Sequence, residues 1–278
     1  MRPVIDPKAS RILLAAHINH DRIWRLEAPL VAGQRQSWRE REVRLGGGGW
    51  FTGMRLCALG WQVDLLSHLA RDARGEASYQ TLAETGFTLD LLDRSAAETR
   101  LTEILLSPDG ERTILAPPGA APVFDLDQTE PRPAAAYLNI RHAGPGLIAC
   151  LDQIPWVMIQ LPIAPESRMP ADLAVTSRAD FPALTLAGIW DHAHACAGAR
   201  LKTLIVTDGA GPVEILSEGA RGAPVAVPDP LPLSNSIGAG DSFAGYLLDA
   251  LLRGADPRAA VMAANLAMRD WLIAGTAP

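Results

Sequence analysis

A chain of 278 residues is long enough to bury a large core, and its 48% hydrophobic and 20% charged residues are ordinary globular values. A net charge of −6, with no block of Lys or Arg, argues against a nucleic-acid surface, and no apolar run reaches the length of a membrane span. Three scattered cysteines, Cys57, Cys150 and Cys196, make no disulfide framework, and no N-terminal basic-plus-apolar leader is visible, so a cytoplasmic protein with reduced thiols is expected.

Residues 11–18 form the continuous apolar run that a central parallel strand needs, and they end in the polar Asn19-His20-Asp21. Open α/β sheets bind ligands at that carboxyl edge. Two stretches near Ile23–Leu30 and Gln36–Leu45, split by Ala32-Gly33, alternate roughly and predict a half-exposed hairpin. Gly46-Gly47-Gly48-Gly49 then opens a helix that stops at Gly60, which favours close backbone approach to a ligand over a flexible linker. Trp61–Leu66, Ala73–Thr85 and Phe87–Leu92 continue as strand, helix and strand. Thr99–Ser107 and Glu111–Ala116 flank the turn Pro108-Asp109-Gly110 as a second hairpin.

After a loop at Pro117, Pro118 and Gly119, strands are predicted at Ala135–Ile140, Trp156–Gln160, Leu173–Thr176 and Thr203–Thr207, with helices at Gly146–Gln153 and Leu184–Ala197. Val213–Leu216 and Ala223–Val227 read as a late β pair, and Phe243–Leu252 and Pro257–Ile273 as closing helices. The expected architecture is a doubly wound, mostly parallel α/β sheet flanked by helices, with 1–278 as one domain. The two hairpins, about 22–45 and 97–117, pair into a small β-sheet lid.

Chemistry concentrates in Ser234-Asn235-Ser236-Ile237-Gly238-Ala239-Gly240-Asp241, which lies between an extended proline-rich run (Val227–Leu233) and a buried helix. Unpaired N–H groups and the positive dipole end at a helix N-terminus suit a phosphate, and Gly238 and Gly240 permit its close approach. Asp241 there is placed to take a proton from an attacking hydroxyl. Alternatively it only caps the helix. No G-x-x-x-x-G-K-[ST] is present, and the glycine runs do not follow the first strand as a dinucleotide fingerprint requires. His192 and Cys196 share a helix face, but two residues fall short of the four ligands of a structural metal site.

Residues 235–241 resemble the D-T-x-G-A-G-D signature of the ribokinase-like (PfkB) carbohydrate kinase family, with Asn235 at the first Asp and Ser236 at the Thr. The resemblance implies that Asp241 is the catalytic base and that Gly238, Ala239 and Gly240 form the anion hole. Asn19-His20-Asp21 resembles the family's N-x-D, which holds sugar hydroxyls. The tetraglycine resembles G-G-x-G-x-N, so the Gly47 and Gly48 backbone would hold the acceptor, and the family's Asn falls on Phe51. Thr207-Asp208-Gly209-Ala210-Gly211 resembles V-T-x-G-x-x-G, one residue short between its glycines. This implies nucleotide contacts from Thr207, Gly209 and Gly211, with Ser236 and the helix residue Asn265 beside them. Ser177–Asp180 stands where the family has N-x-x-E, so Asp180 is the candidate to organise Mg²⁺ through water. Asp72 and Gly75 match a structural turn, and Arg112 of the lid turn reads as solvated.

The resemblance thus implies an ATP- and Mg²⁺-dependent kinase acting on a hydroxymethyl group of a sugar or sugar-like alcohol, with no nucleic-acid or membrane partner. An exposed lid edge can pair with another copy, so a homodimer through the lid is an expectation. Two alternatives stay open. Trp24, Trp38, Trp50 and Phe51 could stack on the ring of a nucleoside acceptor. Or Phe51 and the altered Ser177–Asp180 segment mark a ligand-binding or regulatory protein that has lost turnover.

Overall fold

In chain order the elements are β1 (Arg11–Ala16), β2 (Asn19–Leu26), β3 (Trp38–Gly46), α1 (Gly48–Ala58), β4 (Gln62–His68), α2 (Ala73–Thr85), β5 (Phe87–Thr88), β6 (Leu92–Asp93), β7 (Leu101–Leu106), β8 (Arg112–Leu115), β9 (Ala135–Asn139), α3 (Pro145–Leu151), β10 (Val157–Gln160), β11 (Leu173–Ser177), α4 (Leu186–Ala197), β12 (Thr203–Asp208), β13 (Gly211–Ser217), β14 (Ala220–Arg221), α5 (Ala239–Leu252) and α6 (Pro257–Ile273). The computed structural model describes residues 4–116, 121–127, 132–228 and 236–273. The loop at Pro117–Gly119, the segment Asp229–Leu233 of the proline-rich run, Ser234 and Asn235 lie outside them.

The main sheet runs β14-β13-β12-β11-β10-β9-β1-β4-β5, with β6 pairing on β4. Its central strands are parallel; β13 and β14 join antiparallel at one edge. Both faces of the sheet are buried. Ile12 and Leu14 of β1 pack into one cluster with Leu56 of α1, Leu247 of α5 and Val261 of α6, whereas Leu13 and Ala15 pack into a second with Leu147 of α3 and Ile189 of α4. This two-sided burial is why these strands read as continuous apolar runs. From β1 the chain winds one way to β4 and β5 and later the other way through β9 to β12, so the direction of winding switches between β1 and β9. Ligand crevices of doubly wound sheets open at such a point, beyond the carboxyl ends of the strands.

A separate four-stranded sheet, β3-β2-β7-β8, stands over that end. The two hairpins meet through a parallel pairing in which Asp21 lies opposite Thr102 and Ile23 opposite Ile104. One boundary differs from expectation in a way that matters. Asn19-His20-Asp21 does not close the first strand; it opens β2, because the chain leaves the main sheet at His17 and Ile18 and enters the small sheet at once. The second correction is minor: of Ala223–Val227, only Val225 pairs, in an isolated bridge to Val213, and the short late strand is Ala220–Arg221.

Candidate active site

Three elements converge at the switch between β1 and β9. The first is α5, whose N-cap Gly238 adopts left-handed geometry (φ 77°) with no side chain capping the helix. Gly238 is required twice over, by that backbone conformation and because a Cβ there would collide with the ring of Phe51. The helix starts at Ala239, four residues before its predicted start, so Asp241 falls inside the first turn with Ala239 and Gly240. A carboxylate in that turn is favoured by the dipole, yet the N–H groups at the helix end remain free of a side-chain cap.

The second element is the carboxyl end of β9. Asn139 lies beside Ala16 of β1 in the sheet, and its Nδ2 donates to Asp241 Oδ1 at 2.9 Å. That bond leaves Oδ2 of Asp241 without a partner among the described residues. Beneath them, Thr52 Oγ1 donates to the Asp241 carbonyl at 2.9 Å, and Tyr137 is fully buried. Burial pushes the Asp241 carboxyl up to about 6, opposed by the Arg112 cation and by the Asn139 hydrogen bond. A carboxylate with that affinity is ionised at neutral pH and still able to accept a proton.

The third element joins β2 to the glycine segment. Asn19 Nδ2 donates to Asp21 Oδ1 at 2.6 Å and to Thr102 Oγ1 at 3.2 Å, and both Asn19 and Asp21 are buried. Burial raises the Asp21 carboxyl to about 6; the Asn19 bond and then Arg44 oppose the rise, and Asp241 adds to it. Gly47 (φ 89°) admits no side chain, since a Cβ would strike Asn19 Oδ1 and the His17 carbonyl. At Gly48 a Cβ would collide with Asn139 Nδ2 and come within 3.0 Å of Asp241 Oδ1. The glycines therefore bring Asn19, Asp21, Asn139 and Asp241 around one stretch of bare backbone.

The other predicted positions lie apart from this cluster. Thr207, next to last in β12, donates its hydroxyl to the Thr176 carbonyl (3.2 Å), and Gly209 (φ 55°) lies in the tight turn that leads to Gly211, the first residue of β13. Asn265 of α6 is buried with Nδ2 lacking a partner among the described residues. Asp180 closes a capping box with Ser177, and among the described residues no three His, Cys, Asp or Glu side chains gather as a metal site. His192 Nε2 sits 2.9 Å from the Pro162 carbonyl, while Cys196 is in the core.

Several readings of side chains are corrected. Phe51 does not line a pocket: it is 2% exposed and packs behind Gly238, so it gives no ground for altered sugar contacts or lost turnover. Trp50 is buried and stacks on Phe87. Trp24 meets Trp38 at 5.3 Å, and strand alternation puts Trp24 on the face opposite Asp21 and Ile23, away from the site. None of the four is a stacking surface for an acceptor. Arg112 is not merely solvated. Its Nη1 donates to Ser236 Oγ at 2.8 Å, and Ser236 Oγ donates to the Gly110 carbonyl at 2.9 Å, so the β7–β8 turn is latched to the loop before α5. Ser236 is thereby engaged by the small sheet. Asn139 went unnoticed in the sequence, although a polar residue ending an apolar run at the sheet's carboxyl edge is the same signal that marked Asn19.

Residues 164–269 match the pfkB family carbohydrate kinase. Solved structures align along nearly the whole chain. A ribokinase from Arabidopsis thaliana complexed with ribose and ATP has 17% identity and a TM-score of 0.71, with 95% of this chain and 93% of that one covered. The fold is ribokinase-like. Two others of this fold agree. A microbiome-derived acarbose kinase shares 19% identity (TM-score 0.71; 93% and 91% covered), and a nucleoside kinase from Methanocaldococcus jannaschii shares 15% (TM-score 0.70; 96% and 93%). No curated protein matches the sequence closely enough to count as a relative. Among the described residues, no helix of this ribokinase-like chain is long and apolar enough to cross a membrane.

Proposed function

We propose that the chain is an ATP-dependent phosphotransferase acting on a hydroxymethyl group of a sugar or sugar-like alcohol. The observation that carries this reading is Asp241 in the first turn of an uncapped helix, held through one oxygen by Asn139 and facing the buried Asn19–Asp21 pair. Asn19 and Asp21 hold acceptor hydroxyls, an amide that donates and accepts beside a carboxylate that accepts. Asn139 orients Asp241 so that Oδ2 takes the proton of the hydroxyl that becomes the nucleophile. The N–H groups of the N-cap Gly238 and of Gly240 would meet the charge that develops on the transferring group, and that of Ala239 would join them on releasing the Ser236 carbonyl (3.2 Å).

The residues present fit a nucleotide. The helix end is free of a side-chain cap, and the Asn265 amide is buried with an unmet donor. Thr207, Gly209, Gly211 and Asn265 would hold its ribose, phosphates and base. Asp180 would reach Mg²⁺ through water, since its Oδ2 already accepts from the Ser177 N–H of the capping box. When bound, Mg²⁺-ATP supplies the phosphoryl group and screens its charge. The four-stranded sheet serves as a lid that excludes water, latched by Arg112 to Ser236. The outer face of that sheet, with Trp38, Val43 and Leu115 exposed, is the surface for a homodimer, and a cytoplasmic setting would supply the ATP.

The test is ADP release from Mg²⁺-ATP across a panel of neutral sugars, sugar acids and nucleosides. Acceptor-dependent turnover well above the ATP-only blank is expected for at least one sugar or sugar-like alcohol. Release no faster than the blank with every acceptor would contradict the proposal.

A further inference from the structure

The face of the small sheet that looks onto the site holds an arginine whose hydrogen bonds its own residues do not satisfy. Strand register places Asp21 opposite Arg44, Ile23 opposite Glu42 and Arg25 opposite Glu40, all on one face. Arg25 takes both glutamates, bonding Glu42 at 3.0 Å and Glu40 at 3.3 Å. Asp21 is held by Asn19. Arg44 is left over: its Nε and Nη2 are buried and make no hydrogen bond, and it has no ion pair among the described residues. Arg guanidinium nitrogens out of water without an acceptor are costly, and a native structure keeps such a group where something else supplies the acceptor.

The surroundings agree. Burial lowers the Arg44 affinity for its proton, while Glu42 and Asp21 offset that in part. On the neighbouring edge, His17 is pushed down to about 4, first by burial and then by the fields of Arg100, His68 and Arg141.

We infer that the acceptor carries an anionic group, a carboxylate or a phosphate ester, and that Arg44 receives it while Asn19 and Asp21 hold the neighbouring hydroxyls. A planar guanidinium with one edge, Nε–H and Nη2–H, free suits either anion in a paired geometry. The inference rests on the kinase reading for the word acceptor, but the binding it predicts can be measured without turnover.

The experiment is calorimetric titration of the full chain with triplets differing in one group and each keeping a free hydroxymethyl: glycerol, glycerate and glycerol 3-phosphate; ribose, ribonate and ribose 1-phosphate; glucose, gluconate and glucose 1-phosphate. Wild type, Arg44→Gln and Arg44→Lys are compared, with thermal melts confirming that each variant is folded. The expected result is an anionic member bound about tenfold or more tighter than its neutral counterpart, the size of one charge-assisted hydrogen bond. Arg44→Gln should abolish that preference and Arg44→Lys keep part of it, and the tighter anion then tells a sugar acid from a sugar phosphate. The inference is overturned if neutral and anionic members bind alike, if no anionic member binds wild type at millimolar concentration, or if the preference survives in Arg44→Gln. Arg44-dependent anion binding without ADP release would keep this inference and remove the kinase. ADP release with neutral sugars alone would do the reverse.

Discussion

The two ends of the crevice are built differently. At the acceptor end, Asn19 is hydrogen-bonded to Asp21 and Thr102, and Asn139 to Asp241, over a floor of glycine backbone. At the expected nucleotide end, Thr207 bonds a neighbouring strand, Gly209 and Gly211 form a tight hairpin turn, and Asn265 keeps a buried donor unmet. Only the first end is assembled by the chain itself. Small displacements of a base cost large factors in rate, so the groups that handle the proton are fixed in advance. A nucleotide brings many polar atoms of its own and can complete a looser end.

The largest expected effect probes the floor of the assembled end. Phe51→Asn, the change that would restore the family's residue, should cost about 3–5 kcal/mol of stability, because it replaces a fully buried ring with an amide that has no partner behind Gly238. Denaturant unfolding measures it. A neutral effect together with a widened acceptor range would show that Phe51 faces the pocket after all.

Next comes Asn139→Ala, expected to lower kcat about 10–100-fold, the worth of one hydrogen bond to a charged group. It carries a second signature. Asn139 holds the Asp241 carboxyl down, so its removal moves the acid limb of the pH–rate profile upward from about pH 6. The base must be ionised to work, so activity lost in the variant should be partly regained at higher pH. Asp21 and Asp241 influence one another, and the limb belongs to the pair. An unmoved limb would reduce Asn139 to a packing residue. The smallest effect is at the open end. Asn265→Ala should raise the KM for ATP roughly fivefold, about 1 kcal/mol, and leave the acceptor KM unchanged.

What the sequence made legible follows the same division. Continuous apolar runs revealed the doubly buried strands, and Asp72 and Gly86 bounded α2 where its pattern began and ended. Asp241, Asn19, Asp21 and the glycines were visible because backbone demands restrict those positions to few residue types. Partnerships across the fold were not. Asn139 meets Asp241 across 102 residues, Arg112 meets Ser236 across 124, and Phe51 turns inward, none of which leaves a local pattern. Arg44 was equally hidden, since its unmet N–H groups exist only after Arg25 has taken Glu40 and Glu42.

The central claim is that Asp241 accepts the acceptor's proton, and Asp241→Asn tests it most directly, with acceptor-dependent ADP release and ATP affinity measured on the same preparation. Turnover should fall about 10²–10⁴-fold with ATP affinity kept. Burial raises this carboxyl in the folded chain, so its ionised form costs stability once the pH passes from about 4 to 6, and the variant should melt no lower than wild type at pH 7. Turnover near that of wild type in a folded Asp241→Asn variant would contradict the account.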